Sequence, residues 1–185
     1  MFYLLLGVLD FDNLLEENSM NIKALSSNKF IFCLVALLAV CSIVFQNLPS
    51  NIYVNMLDLS FGFTGLDVQN TFEALGEEGR MQYIYSSLIL DTVFPILYVF
   101  FFVAILLKLN ENTSLALFLP LLAGIFDLSE NISISMMMSF NSFSEIPESQ
   151  ILYASLFNQC KWSLCLCVLI FIFYRLILIT LKRGV

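Results

Sequence analysis

The feature that most constrains this chain is a set of apolar runs, each long enough to cross a lipid bilayer as an α-helix. A membrane-spanning helix needs about 20 mostly apolar residues, because the hydrocarbon core is about 30 Å thick. Such runs cover Phe30–Leu48, Tyr83–Leu107, Leu115–Met138 and a fourth stretch that ends near Lys182. The sequence therefore predicts an all-α integral membrane protein, with four transmembrane helices in a bundle.

The composition agrees with this class and excludes several kinds of site. Hydrophobic residues make up 59% of the chain and charged residues 12%, whereas soluble domains are about 45–50% apolar and about 25% charged. A net charge of −7 argues against a nucleic-acid partner, which requires clustered lysine and arginine. The chain has no histidine, so it lacks the commonest metal ligand and general base. We expect membrane lipids around the protein, and no metal or cofactor.

The start of the fourth helix is harder to place than those of the other three. Pro147-Glu148-Ser149 is a favourable helix start, because proline and acidic residues are both preferred in a first turn. We predict one long helix from about Glu148 to Lys182. Its membrane portion is either Ile151–Tyr174 or Trp162–Leu181. The first alternative places Lys161 inside the membrane, where a lysine needs a partner.

Lysine and arginine in the short loops predict the orientation, because cytoplasmic loops carry an excess of both. Basic residues precede the first helix, lie between the second and third, and follow the fourth: Lys23, Lys29, Lys108, Arg175, Lys182 and Arg183. The other two loops hold Arg80 and, in one register of the fourth helix, Lys161. We therefore predict that both termini are cytoplasmic and that the loop Pro49–Gln82 lies outside.

The chain divides into a cytoplasmic N-terminal segment, residues 1–29, and a single four-helix transmembrane domain, residues 30–183. Met20 starts an Asn-Ile-Lys segment that leads into the first apolar run, so residues 1–19 resemble an upstream extension. A secretory signal also has a basic start and an apolar run, but it ends at a cleavage motif of small residues. No such motif occurs between Phe45 and Ser50, which favours a retained first helix.

The outer loop, residues 49–82, contains the signals of a short amphipathic helix at about residues 65–75. Thr64-Gly-Leu-Asp67 resembles a capping box with aspartate in place of glutamate. Val68, Phe72 and Leu75 recur at the spacing of one helix face, and Gly76 is a natural C-terminal stop. We expect this helix to lie on the outer membrane interface.

Ionisable side chains inside the membrane are costly, about 2.5–3.5 kcal/mol each on insertion scales, and commonly mark functional sites. The second helix carries Asp91, and the third carries Asp127 and Glu130. At about 1.5 Å per residue, they lie about 12, 16 and 12 Å from the outer surface. Lys161 lies about 15 Å from that surface if its helix enters near Ile151. We predict that the three acids face the protein interior and that Lys161 pairs with at least one of them.

Three more polar residues extend this group. Asn131 follows Asp127 by one helical turn on the same face. Tyr98 lies one turn beyond Pro95, where a proline frees backbone carbonyl groups inside a helix. Arg80 lies just before the second apolar run, so its side chain can reach this group from the edge of the membrane. The predicted ligand-binding or ion-pair cluster consists of Asp91, Asp127, Glu130, Asn131, Lys161, Arg80 and Tyr98.

Three functions are compatible with such a cluster. The first is binding or transport of a small ligand: a proton, a cation, or an amine-bearing or hydroxylated small molecule or lipid. The second is a structural or assembly subunit, in which buried charges only fix the helix packing. The third is a membrane enzyme, since two carboxylates can perform acid–base chemistry. However, Asp127-Leu-Ser-Glu130 lacks the flanking Gly, Ala-Arg and further Asp residues that membrane phosphotransferases, prenyltransferases and intramembrane aspartyl proteases need, and we assign no catalytic residue. The oligomeric state stays open.

Three sequence blocks occur together in this chain: Gly76-Glu-Glu-Gly-Arg80, Asp91-Thr-Val-Phe-Pro95 with Tyr98, and Asp127-Leu-Ser-Glu-Asn131. The set resembles one found in small uncharacterised four-helix integral membrane proteins. The resemblance covers about residues 64–162. It implies the fold without implying an activity.

Overall fold

The structure, a computed structural model, describes residues 24–53, 55–109 and 114–183. The regular elements of these residues are all helical. They are α1 (Asn28–Gln46), the short α2 (Ser50–Tyr53), α3 (Gly65–Lys108), α4 (Ser114–Met138) and α5 (Glu148–Arg183), with one-turn 3₁₀-helices at Leu57–Leu59 and Phe143–Glu145. Helices α1, α3, α4 and α5 are long and apolar enough to cross a membrane, which confirms the prediction of four such helices. The N-terminal extension, residues 1–19, lies outside the described residues.

Local sequence signals account for where α1, α3 and α5 begin. Ser27 caps α1, where its hydroxyl accepts a hydrogen bond from the Phe30 amide at 3.3 Å. Helix α5 begins at Glu148 and continues without interruption to Arg183, so the prediction of one long fourth helix is confirmed. The charge of Glu148 in the first turn is favourable, because it lies at the positive end of the helix dipole.

The capping box predicted at Thr64 is present at the start of α3. The Thr64 hydroxyl accepts a hydrogen bond from the Asp67 amide at 3.3 Å, and the Asp67 carboxylate accepts one from the Thr64 amide at 2.7 Å. The hydroxyl of Thr64 also donates to this carboxylate at 2.7 Å. These hydrogen bonds from Thr64 lower the pKa of Asp67 below its usual range, because they stabilise the ionised carboxylate.

A break at Gly76 divides α3 into a short first segment and a long second segment. Gly76 has φ 59° and ψ −172°, a backbone conformation that is essentially restricted to glycine. The first segment buries Val68, Phe72 and Leu75 in an apolar cluster that also contains Met137 of α4. The break lets the first segment pack over the end of α4 while the second segment runs alongside it.

Two apolar clusters lie at opposite ends of the packed helices, and polar residues lie between them. The cluster nearer the outer loop includes Tyr83, Ile134 and Ala154. The other cluster includes Phe102 and Val168. Helix α4 packs against both α3 and α5, and α1 packs against α3. Along α3, α4 and α5, the residues between these clusters include buried acids, amides and one lysine: Asp91, Asp127, Glu130, Asn131, Asn158 and Lys161.

Replacement of Gly76 by alanine should destabilise the protein by about 1–3 kcal/mol, because an alanine is strained at this φ and ψ. A Cβ atom at this position would meet no neighbour within 4 Å, so the expected loss comes from the backbone and not from a steric clash. Thermal unfolding of the detergent-solubilised protein would measure it.

Gly65→Ala is the matched control. Gly65 starts the same helix without a positive φ, and an added Cβ would lie 4.0 Å from the nearest side-chain atom, Cδ1 of Ile151. Equal melting temperatures for the two variants would contradict the argument.

Candidate functional site

The three acids of the second and third predicted spans are buried inside the protein. Asp91 is 6% exposed, Asp127 is 7% exposed and Glu130 is 0% exposed. All three belong to the buried polar residues between the two apolar clusters, where α3, α4 and α5 pack together. We call these residues the polar layer. The prediction that these carboxylates face the protein interior is confirmed.

Lys161 of α5 forms ion pairs with both acids of α4. Its Nζ lies 2.6 Å from Oε2 of Glu130 and 3.3 Å from Oδ1 of Asp127. The residue itself is only 6% exposed. The predicted pairing of Lys161 is therefore confirmed, and it joins α5 to α4 in the middle of their contact.

Hydrogen bonds engage the remaining oxygen atoms of the two paired acids. The hydroxyl of Tyr98 donates to Oδ2 of Asp127 at 3.0 Å, and the amide of Asn131 donates to Oδ1 at 3.4 Å. Oε1 of Glu130 accepts a hydrogen bond at 2.8 Å from Asn158. Asp127 and Glu130 thus have a partner for each carboxylate oxygen. We call these two acids, with Lys161, Tyr98, Asn131 and Asn158, the paired network.

Asn158 is a member of this network that the sequence analysis missed. It is fully buried, and besides Glu130 it contacts the outer loop through two further hydrogen bonds. Its Oδ1 accepts from the Gly62 amide at 2.6 Å, and its Nδ2 donates to the Asp58 carbonyl at 3.3 Å. The available signal was its spacing, because Asn158 precedes Lys161 by three residues and so shares its helix face.

Asp58 is a second acid of the site that the sequence analysis missed. It lies in the one-turn helix Leu57–Leu59 and is buried, and its carboxylate accepts a hydrogen bond from the Tyr83 hydroxyl at 3.4 Å. Burial raises the pKa of the Asp58 carboxyl above its usual range, although the positive charge of Lys161 opposes this shift. Asp58 lies in a loop outside the apolar runs, so a search for charges within those runs could not find it.

Asp91 differs from the paired acids. Its backbone carbonyl accepts a hydrogen bond from Asn131 at 2.7 Å, which connects α3 to the network. Its side-chain Oδ2, however, is buried and has no hydrogen-bond partner among the described residues. An unsatisfied buried carboxylate oxygen is costly. Oδ1 of Asn131 is likewise buried without a hydrogen-bond partner among the described residues, but Asp91 is the acid of the group in this state.

Arg80 lies apart from this group. Its guanidinium lies 3.9 Å from the centroid of the Phe72 ring, in a cation–π contact within α3. Within the described part of the chain, the ion pairs of Asp127 and Glu130 are made by Lys161. The structure therefore brings together the other six predicted site residues and gives Arg80 a different contact.

A cavity of about 420 Å³ lies beside the polar layer, between α1, α3 and α5 and against the loop that contains Asp58. Charged residues from the loop, α3, α4 and α5 reach it: Asp58, Asp91, Asp127 and Lys161. Aromatic side chains form much of the rest of its wall: Phe45, Phe94, Tyr98, Phe102 and Trp162. The rings of Phe94, Tyr98 and Phe102 follow one another along α3, each 5.9 Å from the next. The cavity thus combines an acidic end with an aromatic wall.

No family model, curated protein or solved structure matches this chain. Among the described residues, no group of histidine, cysteine, aspartate and glutamate side chains is arranged to hold a metal ion.

Removal of the lysine alone should be more damaging than removal of the lysine together with its partner. Lys161→Met leaves Glu130 as a buried charge without its cation, and we expect a loss of about 3–5 kcal/mol in unfolding free energy. Adding Glu130→Gln should restore part of this loss, since the buried charge is then removed. Denaturant titration in detergent micelles would measure both variants.

Lys182→Met serves as the control, because Lys182 is exposed near the end of the same helix. A Lys161→Met variant as stable as this control would contradict the importance of the pair. So would a double variant less stable than Lys161→Met alone.

Proposed function

We propose that this protein is a multi-pass integral membrane protein, folded as a four-helix bundle, that binds or transports a small ligand, ion or lipid. The ligand site is the cavity between α1, α3 and α5, at the depth of the polar layer. The observation that carries the proposal is the Asp91 carboxylate, which borders this cavity and keeps a buried oxygen without a partner. A ligand in the cavity would lie next to this carboxylate and would interact with it.

The size and lining of the cavity support ligand binding. Small-molecule sites are concave spaces of about 300–1,000 Å³, mostly apolar, with a few polar groups that fix the orientation of the ligand. At about 420 Å³, this cavity lies in that range. Its aromatic wall and its few acids match the same description.

The alternative is a structural subunit whose charges only fix the helix packing. The paired network favours it, because Lys161 links α5 to two acids of α4 and those acids are fully engaged. This role accounts for Asp127, Glu130 and Lys161. It leaves unexplained both the free oxygen of Asp91 and the cavity beside it, so we favour ligand binding.

We further propose that the first segment of α3 lies on the outer membrane interface. Its buried face packs on the protein, while Leu66 is 65% exposed and Phe61 of the preceding loop is 68% exposed. Apolar side chains at the level of the lipid headgroups are stabilised by partial insertion into the bilayer. Such an environment would cover these two residues.

Both termini should be cytoplasmic. Basic residues from two helices lie at the end of the fold away from the outer loop. The Lys108 ammonium of α3 donates to Asn28 at the start of α1, and Arg175 of α5 donates to the Leu109 carbonyl. Cytoplasmic ends of membrane proteins carry such an excess of positive charge. Reporter fusions after Val185 would test this, with a fluorescent-protein fusion expected to be bright and an alkaline-phosphatase fusion inactive.

An active phosphatase after Val185 would contradict the orientation. A phosphatase fused after Phe61, in the outer loop, is the matched positive control and should be active.

Occupation of the cavity can be measured through Trp162, the chain's single tryptophan, which lies in the cavity wall. We expect at least one of three bromine-labelled twelve-carbon amphiphiles, an amine, an alcohol or a carboxylate, to quench its fluorescence saturably. Saturation is the critical feature, since Trp162 is also partly exposed to detergent and quenching from the bulk rises linearly.

A matched pair of cysteine variants tests where the quencher binds. Cys165 lies in the cavity wall, whereas Cys167 is exposed two residues further along α5. Cys165→Phe should fill the cavity and abolish the saturable quenching, and Cys167→Phe should preserve it. The proposal fails if none of the three amphiphiles quenches saturably, or if both variants behave alike.

A further inference from the structure

We propose that the ligand of the cavity is a protonated amine on an aliphatic chain, and that the Asp91 carboxylate is the counterion of its ammonium group. The inference rests on the proposed ligand-binding function and specifies the chemical class of the ligand. It follows from the charge balance of the site, the free carboxylate oxygen and the shape of the cavity.

The charges of the polar layer do not balance within the described residues. Four buried acids, Asp58, Asp91, Asp127 and Glu130, surround one buried lysine, Lys161. Carboxylates held close together in a low dielectric cannot all stay ionised without added positive charge. A ligand that carries a positive charge compensates this excess, and a neutral or anionic ligand does not.

Asp91 is the acid best placed to receive that charge. Asp127 and Glu130 are paired with Lys161, and Asp58 has the Tyr83 hydroxyl at 3.4 Å. Asp91 is more than nine-tenths buried, borders the cavity, and has an oxygen with no partner among the described residues. An ammonium group in the cavity would form a charge-assisted hydrogen bond with the Asp91 carboxylate, which is stronger than a neutral one.

The same geometry disfavours an anionic ligand. Lys161 is the cation that reaches the cavity from α5, but its Nζ already lies within 3.3 Å of two carboxylates. A carboxylate or phosphate ligand would have to compete with the carboxylates of Asp127 and Glu130 for the lysine. It would also be repelled by Asp58 and Asp91. We therefore infer an amine without a neighbouring anionic group, in preference to an aminophospholipid headgroup.

The remainder of the cavity suits an aliphatic chain. Asp91, Phe94, Tyr98 and Phe102 all border the cavity from α3, and Asp91 and Phe102 are about 16 Å apart along the helix at about 1.5 Å per residue. Beyond the acids, the wall consists mainly of aromatic rings and, from α5, of Leu169. An ammonium group at Asp91 would direct its chain past Phe94 and Tyr98 towards the apolar end.

The test compares headgroups on one chain in the detergent-solubilised, full-length protein. Bromine-labelled dodecylamine, dodecanol and dodecanoate differ in charge but share the chain, so the saturable quenching of Trp162 gives three directly comparable dissociation constants. We expect dodecylamine to bind at least tenfold more tightly than dodecanol, and dodecanoate to bind most weakly.

Asp91→Asn keeps the size of the side chain and removes its charge. We expect it to abolish the preference for the amine, so that dodecylamine and dodecanol bind with equal affinity, while dodecanol binding itself is retained. Retained dodecanol binding shows that the cavity is still formed in the variant. Glu78→Gln removes an exposed acid from the same helix and should leave the preference unchanged, which controls for loss of overall negative charge.

Three results would overturn the inference. They are dodecanol or dodecanoate binding as tightly as dodecylamine to the unmodified protein, a preference for the amine that survives Asp91→Asn, and lysophosphatidylethanolamine binding as tightly as dodecylamine. The first and third results are measured on the unmodified protein, so they test the inference even if the Asp91→Asn variant does not fold. Failure of all three amphiphiles to quench saturably would instead contradict the proposed function, whereas saturable binding without an amine preference contradicts this inference alone.

Discussion

The ion pairs of Lys161 with Glu130 and Asp127 are the interaction on which the arrangement of the helices depends. A lysine and two carboxylates are tolerated in an apolar interior only if they lie close together, since each alone would carry a large desolvation cost. Nζ of Lys161 lies 2.6 Å and 3.3 Å from the two acids. Sliding α5 along α4 by one turn, about 5.4 Å, would separate all three charges. The pairs therefore fix the register between these helices.

The polar layer contains two sets of residues that differ in whether their carboxylate oxygens have partners. In the paired network, Asp127 and Glu130 have partners for both carboxylate oxygens, supplied by Lys161, Tyr98, Asn131 and Asn158. On the cavity side, Asp91 keeps an oxygen without a partner. A structural role explains the pairing of Asp127, Glu130 and Lys161, but it does not explain the unpartnered oxygen of Asp91. Under the proposed function, one set of residues mainly stabilises the fold and the other binds the ligand, although both occupy the same layer.

The sequence predicted the four long helices because their apolar runs are continuous, and it predicted the Lys161 pairs because a lysine at that depth needs an acid. Both arguments rest on the cost of charge in an apolar medium. The same argument could not find Asp58, whose burial depends on the packing of the loop against Tyr83 of α3 and against Asn158 and Trp162 of α5. It also misjudged Arg80, whose contact with Phe72 depends on the break at Gly76 and on local geometry that spacing alone does not fix.

The position of α1 decides how a ligand could enter the cavity without disturbing the network. Each member of the paired network lies on α3, α4 or α5, whereas Ser42, Phe45 and Gln46 of α1 form one wall of the cavity. Helix α1 packs against α3, and only 11% of its apolar window is buried within the protein. A shift of α1 would therefore widen the cavity while breaking few protein contacts and none of the Lys161 ion pairs. Under the proposed function, such a movement would let an aliphatic ligand reach the cavity beside α1 while the paired network stays intact.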